Sequence, residues 1–148
     1  MNCVGTDYMH IEEKHDPSAD EVAAIERRVY DHNCQATGFS DGKDLGFVAR
    51  DNDDNIIGAA FGYSWGGISE LKQLWVAEPS RGRGLGSALL DKFINEARKR
   101  GARRIWSTSY DFQAPALYER AGFTRVFDLK DWPIRHTNSV FCLNVDAE

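Results

Sequence analysis

Arg81, Gly82, Arg83, Gly84, Gly86 and Ser87 place three glycines, two arginines and a serine within seven residues. An apolar run (Leu74, Trp75, Val76) precedes them, and an amphipathic run begins with no gap after them. That order predicts a strand, a tight loop and a helix start around one point. The first N–H groups of a helix lack partners and its dipole is positive there, so the point suits phosphate. Glycines let main chain approach an anion without a side chain in the way. The segment is therefore expected to hold a phosphorylated cofactor. A dinucleotide fingerprint requires G-x-G-x-x-G, whereas Ser87 stands where the third glycine belongs. No acidic ribose ligand follows about 20 residues on, and the Gly-Lys-Ser/Thr ending of a Walker loop is absent.

The elements that must position this loop alternate along a chain of 148 residues. One domain spanning residues 1–148 is expected, large enough to bury roughly two-thirds of its unfolded surface. A hydrophobic content of 42% with 11% aromatics describes a globular core. The net charge of −5 disfavours nucleic acid as a partner. No run is long enough to span a membrane and the N-terminus lacks a signal-peptide core. The three cysteines, Cys3, Cys34 and Cys142, are scattered and in no metal-ligand spacing, as in a reduced cytoplasmic protein with no bound metal.

Residues 4–12 alternate approximately (Val4, Thr6, Tyr8) and are expected as a strand. A helix starts at residues 17–20, carries Val22, Ile25 and Val29 at helical spacing, and fades near 37–38. Strands over 45–50, 56–65 and 68–76 form an antiparallel meander around turns at 51–55 and 66–67. The helix over 84–100 shows Leu85, Ala88, Leu89, Phe93 and Ala97 on one face and ends at Gly101. The strand over 104–110 follows a long helix, so it should lie parallel to that over 68–76. A short helix over 115–121 and strands over 123–129 and 139–145 complete a mixed α/β sheet with helices on both faces.

Arg81, Gly84 and Gly86 fill the specified places of Gln/Arg-x-x-Gly-x-Gly/Ala, and the segment resembles the acetyl-CoA loop of the GNAT superfamily of N-acetyltransferases. Downstream, Ala114, Leu117, Tyr118, Glu119, Gly122 and Phe123 are similar to the family's A-x-x-L-Y-E-K-x-G-F element. Residues 109–115 also resemble a bacterial branch with Ser-Phe-Gln-Ala-Pro before the tyrosine helix. Two such matches in the right order, with compatible secondary structure between them, reinforce each other. The resemblance covers residues 68–129 closely and the first meander loosely.

The resemblance implies a GNAT-like sheet whose two parallel middle strands splay, with acetyl-CoA as cosubstrate. Backbone groups at Leu74 and Val76 would meet pantetheine and the acetyl carbonyl. The N–H groups of Gly82, Gly84, Gly86 and Ser87 would take pyrophosphate, with Arg81 and Arg83 adding charge. Tyr118 would protonate the departing sulfur, since a phenol near pKa 10 keeps its proton at neutral pH. Its plain alternative is a core aromatic. Glu70, eleven residues before Arg81, matches the offset of the catalytic glutamate of histone acetyltransferases in this superfamily. A partly buried glutamate can accept a proton from an ammonium; its plain alternative is a solvated side chain or a pair with Lys72. Asp111 and His136 are competing bases. Asp111 also stands where many members carry a CoA-contacting asparagine.

Other conspicuous residues have ordinary readings. Asp51, Asp53 and Asp54 lack the ligand spacing of a calcium loop. The basic residues 98–104 suit a helix end, with the CoA 3′-phosphate as the other reading. Trp65, Trp75 and Trp106 are expected in the core; Trp132 is divided between the core and an acceptor pocket wall. That pocket would draw on the first helix, the turn at 51–55 and the loop over 131–138. Together these features predict direct acetyl transfer to a primary amine of a small cationic molecule in a ternary complex. A protein lysine or N-terminus as acceptor, and a non-catalytic acyl-CoA sensor, are the alternatives. The family often forms homodimers, and the last strand offers an edge for one.

Overall fold

The computed structural model describes residues 9–145. Contacts divide the chain into two compact units, Met1–Gly38 and Phe39–Glu148. In the first, helix α1 (Ala19–Thr37) begins with a capping box. Ser18 Oγ accepts from the Glu21 N–H at 3.2 Å, and Glu21 Oε2 accepts from the Ser18 N–H at 2.8 Å. Gly38, at φ 78°, closes the helix by donating to the Cys34 carbonyl at 2.8 Å. Of the strand expected over 4–12, residues 4–8 lie outside the described residues, and 9–12 carry no regular structure.

The second unit is a six-stranded sheet in the order β1-β2-β3-β4-β6-β5. Its strands are β1 (Lys43–Arg50), β2 (Ile56–Trp65), β3 (Ile68–Val76), β4 (Arg104–Tyr110), β5 (Thr124–Lys130) and β6 (Thr137–Asn144). Helix α2 (Leu85–Lys99) links β3 to β4, and α3 (Pro115–Arg120) links β4 to β5. Only β3 and β4 pair in parallel; the other neighbours are antiparallel. The long α2 crossover permits that parallel pair, whereas two-residue Gly66-Gly67, both at positive φ, turns β2 straight back into β3. Asp51 Oδ1 braces the preceding hairpin by accepting from the N–H groups of Asp53 and Asn55, each at 2.9 Å.

Side chains alternate across the strands, and the register sorts them into two faces. Gly62 stands opposite Leu71, which pairs with Ser107, which pairs with Phe141. This face carries α2. A Cβ added at Gly62 would stand 2.7 Å from two carbons of the Phe93 ring, so the ring rests on bare backbone. Tyr118 of α3 stacks on Phe141 at 5.3 Å, on the same face. The opposite face carries Glu70 and Trp106, which pair directly.

Two expectations about the core change. The buried stripe of α2 is Leu89, Leu90, Phe93, Ile94 and Ala97, and Ala88 is exposed. The helix buries a wider arc than a single narrow seam, because it lies on a broad sheet rather than on another helix. Trp75 is 49% exposed and Trp106 36% exposed, on the strand positions turned away from the α2 face. Trp65 is half-buried, its indole N–H donating to the Phe39 carbonyl at 2.9 Å. Among the described residues no helix is long and apolar enough to cross a membrane.

Candidate active site

The site begins where two strands stop pairing. β3 and β4 are in register from Ile68↔Arg104 to Leu71↔Ser107 and no further. Beyond that point β3 stays with β2 as far as Val76↔Gly58, while β4 stays with β6 as far as Tyr110↔Asn138. The β2–β3 register slips between Phe61 and Gly62, which face Gln73 and Leu71, so Lys72 is an extra residue on β3. Such a bulge bends its strand and increases its twist. The bend takes β3 away from β4 and opens a gap in the sheet.

A cleft of 530 Å³ occupies this end of the unit. Leu74, Trp75 and Val76 line it from β3, and Ser109, Phe112 and Gln113 from the end of β4 and the loop after it. Arg81, Gly82, Gly84, Gly86 and Ser87 line it from the glycine loop and the first turn of α2. Leu117, Tyr118 and Arg120 close it from α3. Gly84 is the N-cap of α2 at φ 79°; no side chain caps this end and no acid sits in the first turn. Its leading amides thus remain available to an anion. A Cβ at Gly82 or Gly84 would meet nothing within 4 Å, so both face open space. Arg81 Nε donates to the Val76 carbonyl at 3.0 Å, tying the loop to the end of β3.

Tyr118 is 5% exposed, stacked on Phe141 and meeting Phe123 edge-on at 5.5 Å. Ser107 Oγ donates to the Leu71 carbonyl at 2.8 Å and lies 3.3 Å from the Tyr118 hydroxyl. Burial raises the Tyr118 pKa, against a smaller lowering from the Ser107 hydrogen bond. The phenol therefore holds its proton throughout the neutral range. At rest it is a proton donor.

Residues 7–123 match the family described as the Acetyltransferase (GNAT) family. An acetyltransferase of Agrobacterium fabrum is 32% identical over 111 residues, covering 75% of this chain and 81% of the relative. The streptothricin acetyltransferase of Streptomyces lavendulae is 37% identical over 81 residues, 52% of this chain and 43% of that protein. The crystal structure of an acetyltransferase from Bacillus cereus superimposes with a TM-score of 0.77 at 26% identity, covering 93% of this chain and 98% of that one. The chain belongs to the GNAT family. It is an N-acetyltransferase.

This GNAT chain brings together most of the residues singled out in its sequence. Leu74, Val76, Arg81, Gly82, Gly84, Gly86, Ser87 and Tyr118 meet in one cleft. Arg83, Glu70 and Asp111 are outside its lining. Arg83 is exposed, and Glu70 is half-buried in the paired stretch on the other sheet face. Asp111 is engaged elsewhere: Oδ1 lies 2.9 Å from His136 Nδ1, and Oδ2 accepts from the Thr137 N–H at 3.0 Å. Burial pushes its carboxyl up, but the bonds from His136, Thr137 and Phe112 outweigh that and hold it below its ordinary range. Of the basic residues 98–104, Arg100 is spent on structure, donating to the Asp44 carbonyl at 2.8 Å and to Glu96 at 3.2 Å.

Sequence reasoning missed Ser107, Gln113 and Arg120. Gln113 Oε1 accepts from the Tyr110 N–H at 3.0 Å, which fixes the loop between β4 and α3. Arg120 falls three residues beyond Leu117 on α3, and both line the cleft. That spacing was readable once Leu117 and Tyr118 were placed on a helix. Ser107 had no such signal, because its role depends on register between strands.

Proposed function

We propose that the cleft binds acetyl-CoA and that the enzyme passes the acetyl group directly to a primary amine of a small cationic molecule, in a ternary complex. The observation that carries this reading is the coincidence of three features in one cavity: parted strands, an uncapped glycine-flanked helix start, and a protonated buried phenol. The amides of Gly82, Gly84, Gly86 and Ser87 hold the pyrophosphate, and Arg81 and Arg120 supply positive charge. Backbone groups at Leu74 and Val76 border the pantetheine arm and the acetyl carbonyl, with the Val76 carbonyl keeping its bond from Arg81.

The amine attacks as its neutral form, forming the C–N bond as the C–S bond breaks. Tyr118 donates its proton to the departing sulfur, and the proton that the nitrogen sheds on becoming an amide passes through solvent to restore the phenol. Glu70 accepts the proton of the acceptor's ammonium through water. Strand alternation supports this division: Ser107 and Tyr118 occupy one sheet face, and Glu70 the other. Nucleophile and leaving group then approach the acetyl carbon from opposite sides of the gap. A small-molecule acceptor is supported by the streptothricin acetyltransferase among the relatives.

Calorimetry with acetyl-CoA, joined to a thiol-release assay over a panel of amines and lysine peptides, tests the whole reading. Binding followed by release with small amines is the expected result. Release only with peptides transfers the reading to a protein acetyltransferase, and binding without any release makes the chain an acyl-CoA sensor. Glu70→Gln should lower kcat about 100-fold with acetyl-CoA affinity unchanged; an unchanged kcat removes Glu70 as the base.

A further inference from the structure

Beside the cleft lies a second, open cavity of 630 Å³ between two walls. Tyr110 and Phe112 form one wall, and Asp131, Trp132, Pro133 and Ile134 form the other. Phe112 lines both this groove and the cleft, so the two spaces join at one ring. Folding leaves its apolar groups wet: Phe112 and Trp132 are each 58% exposed and Ile134 78%. Single exposed apolar side chains are ordinary, but three around one hollow mark a surface that something covers.

The main chain of the two walls and the Phe112 ring are held in place. The Asp111 N–H donates to the Thr137 carbonyl at 3.0 Å, and the Asp111 carboxylate grips both His136 and the Thr137 N–H. One residue thus bolts the two walls together. The loop is braced within itself as well. The Arg135 N–H donates to Asp131 Oδ1 at 3.1 Å, and the His136 N–H to the Pro133 carbonyl at 2.9 Å. Asp131 and Arg135 adopt positive φ, at 57° and 69°, which L side chains rarely accept. Phe112 stacks on Tyr110 at 5.1 Å and takes the edge of His136 at 5.0 Å. The frame of the groove is preformed, so binding orders little of its main chain.

We infer that this groove seats the acceptor, and that the acceptor is a primary amine carried on a flat aromatic body. The inference rests on the acetyl-transfer reading above and adds the substrate class. An indole face and a phenyl face cover a flat ring far better than a thin alkyl chain. The same faces, with the Asp131 carboxylate in the lining, favour the positive charge of an ammonium. Through Phe112, an amine held there borders the cleft that takes acetyl-CoA. Asp111 is then a positioning residue, which accounts for its place outside the cofactor cleft.

The test compares 2-phenylethylamine with n-butylamine, two monocations, on the full chain saturated with CoA. Calorimetry should show 2-phenylethylamine binding at least tenfold more tightly than n-butylamine. Trp132→Ala should abolish that preference while acetyl-CoA affinity stays unchanged; Ile134→Ser, at a more exposed position, should weaken it. Equal affinities for the two amines, or a preference that survives both substitutions, overturns the inference. Thiol release run in parallel separates the two readings. Aryl-selective binding without release sinks acetyl transfer and leaves the groove. Release with equal kcat/KM for both amines sinks the groove alone.

Discussion

Ser107 Oγ stands 2.8 Å from the Leu71 carbonyl and 3.3 Å from the Tyr118 hydroxyl, at the last register pair before β3 and β4 part. One hydroxyl therefore satisfies a carbonyl at the fork of the sheet and fixes the phenol beside the opening. Leu71 and Tyr118 are both buried, so each gains from a partner within the protein.

Tyr118→Phe removes only the hydroxyl and keeps the stack on Phe141. Acetyl-CoA affinity and thermal stability should stay near those of the parent, while kcat falls about 100-fold. Steady-state thiol release checks this, and a parent-like kcat ends the role of Tyr118 as the acid.

The raised Tyr118 pKa makes stability fall at alkaline pH. The folded phenol ionises later than the unfolded one, so its contribution is complete below the free phenol value of about 10 and is lost as pH rises through the higher folded value. Urea midpoints measured across this range should decline more steeply for the parent than for Tyr118→Phe. Parallel slopes for the two proteins would contradict the assignment.

Gly84 and Gly86 should respond differently to alanine. Gly84 has φ 79°, so Gly84→Ala strains the N-cap by about 1 kcal/mol and puts a methyl group into the open space facing the loop. Acetyl-CoA affinity should fall at least tenfold. A Cβ at Gly86 meets only Leu117 and Val76, at 3.6 and 3.7 Å, which is ordinary contact. Gly86→Ala should fold as stably as the parent, with helix propensity in its favour. Calorimetry and urea unfolding of both variants decide; equal losses of affinity with no strain at Gly84 would contradict the loop's role.

Arg120→Gln leaves α3 its length and removes one cation from the cleft. Affinity for acetyl-CoA should drop several-fold in low salt, and the difference should shrink as salt screens the remaining charge. An Arg120→Gln protein that binds as the parent does at low salt would place the phosphates out of reach of α3.

Much of this architecture is legible in local pattern. The bounds of β2, β3 and β4 follow from alternation between glycine and aspartate turns, and α1 announces itself through the start signal at residues 17–20. The glycine loop is equally plain, since bare backbone and a helix start are local properties. Arg83 and Asp111 show the limit of that legibility. Both types suit a phosphate or CoA contact, yet Arg83 is exposed outside the cleft lining and Asp111 binds a loop 25 residues further on.

The sequence by itself determined the order of the elements from residue 19 onward, the parallel pair and the loop, because each depends on period, turn residues and crossover length within one short stretch. Only the tertiary structure decided where the sheet opens, since a single bulged residue, Lys72, shows itself only against the partner strand. It also decided which aromatics stay wet. Trp75, Trp106 and Trp132 carry large apolar rings that a core could bury, and their exposure depends on which face their neighbours leave uncovered. Position along a chain specifies a side chain's chemistry; its surroundings are set by strands and loops that meet it from far away.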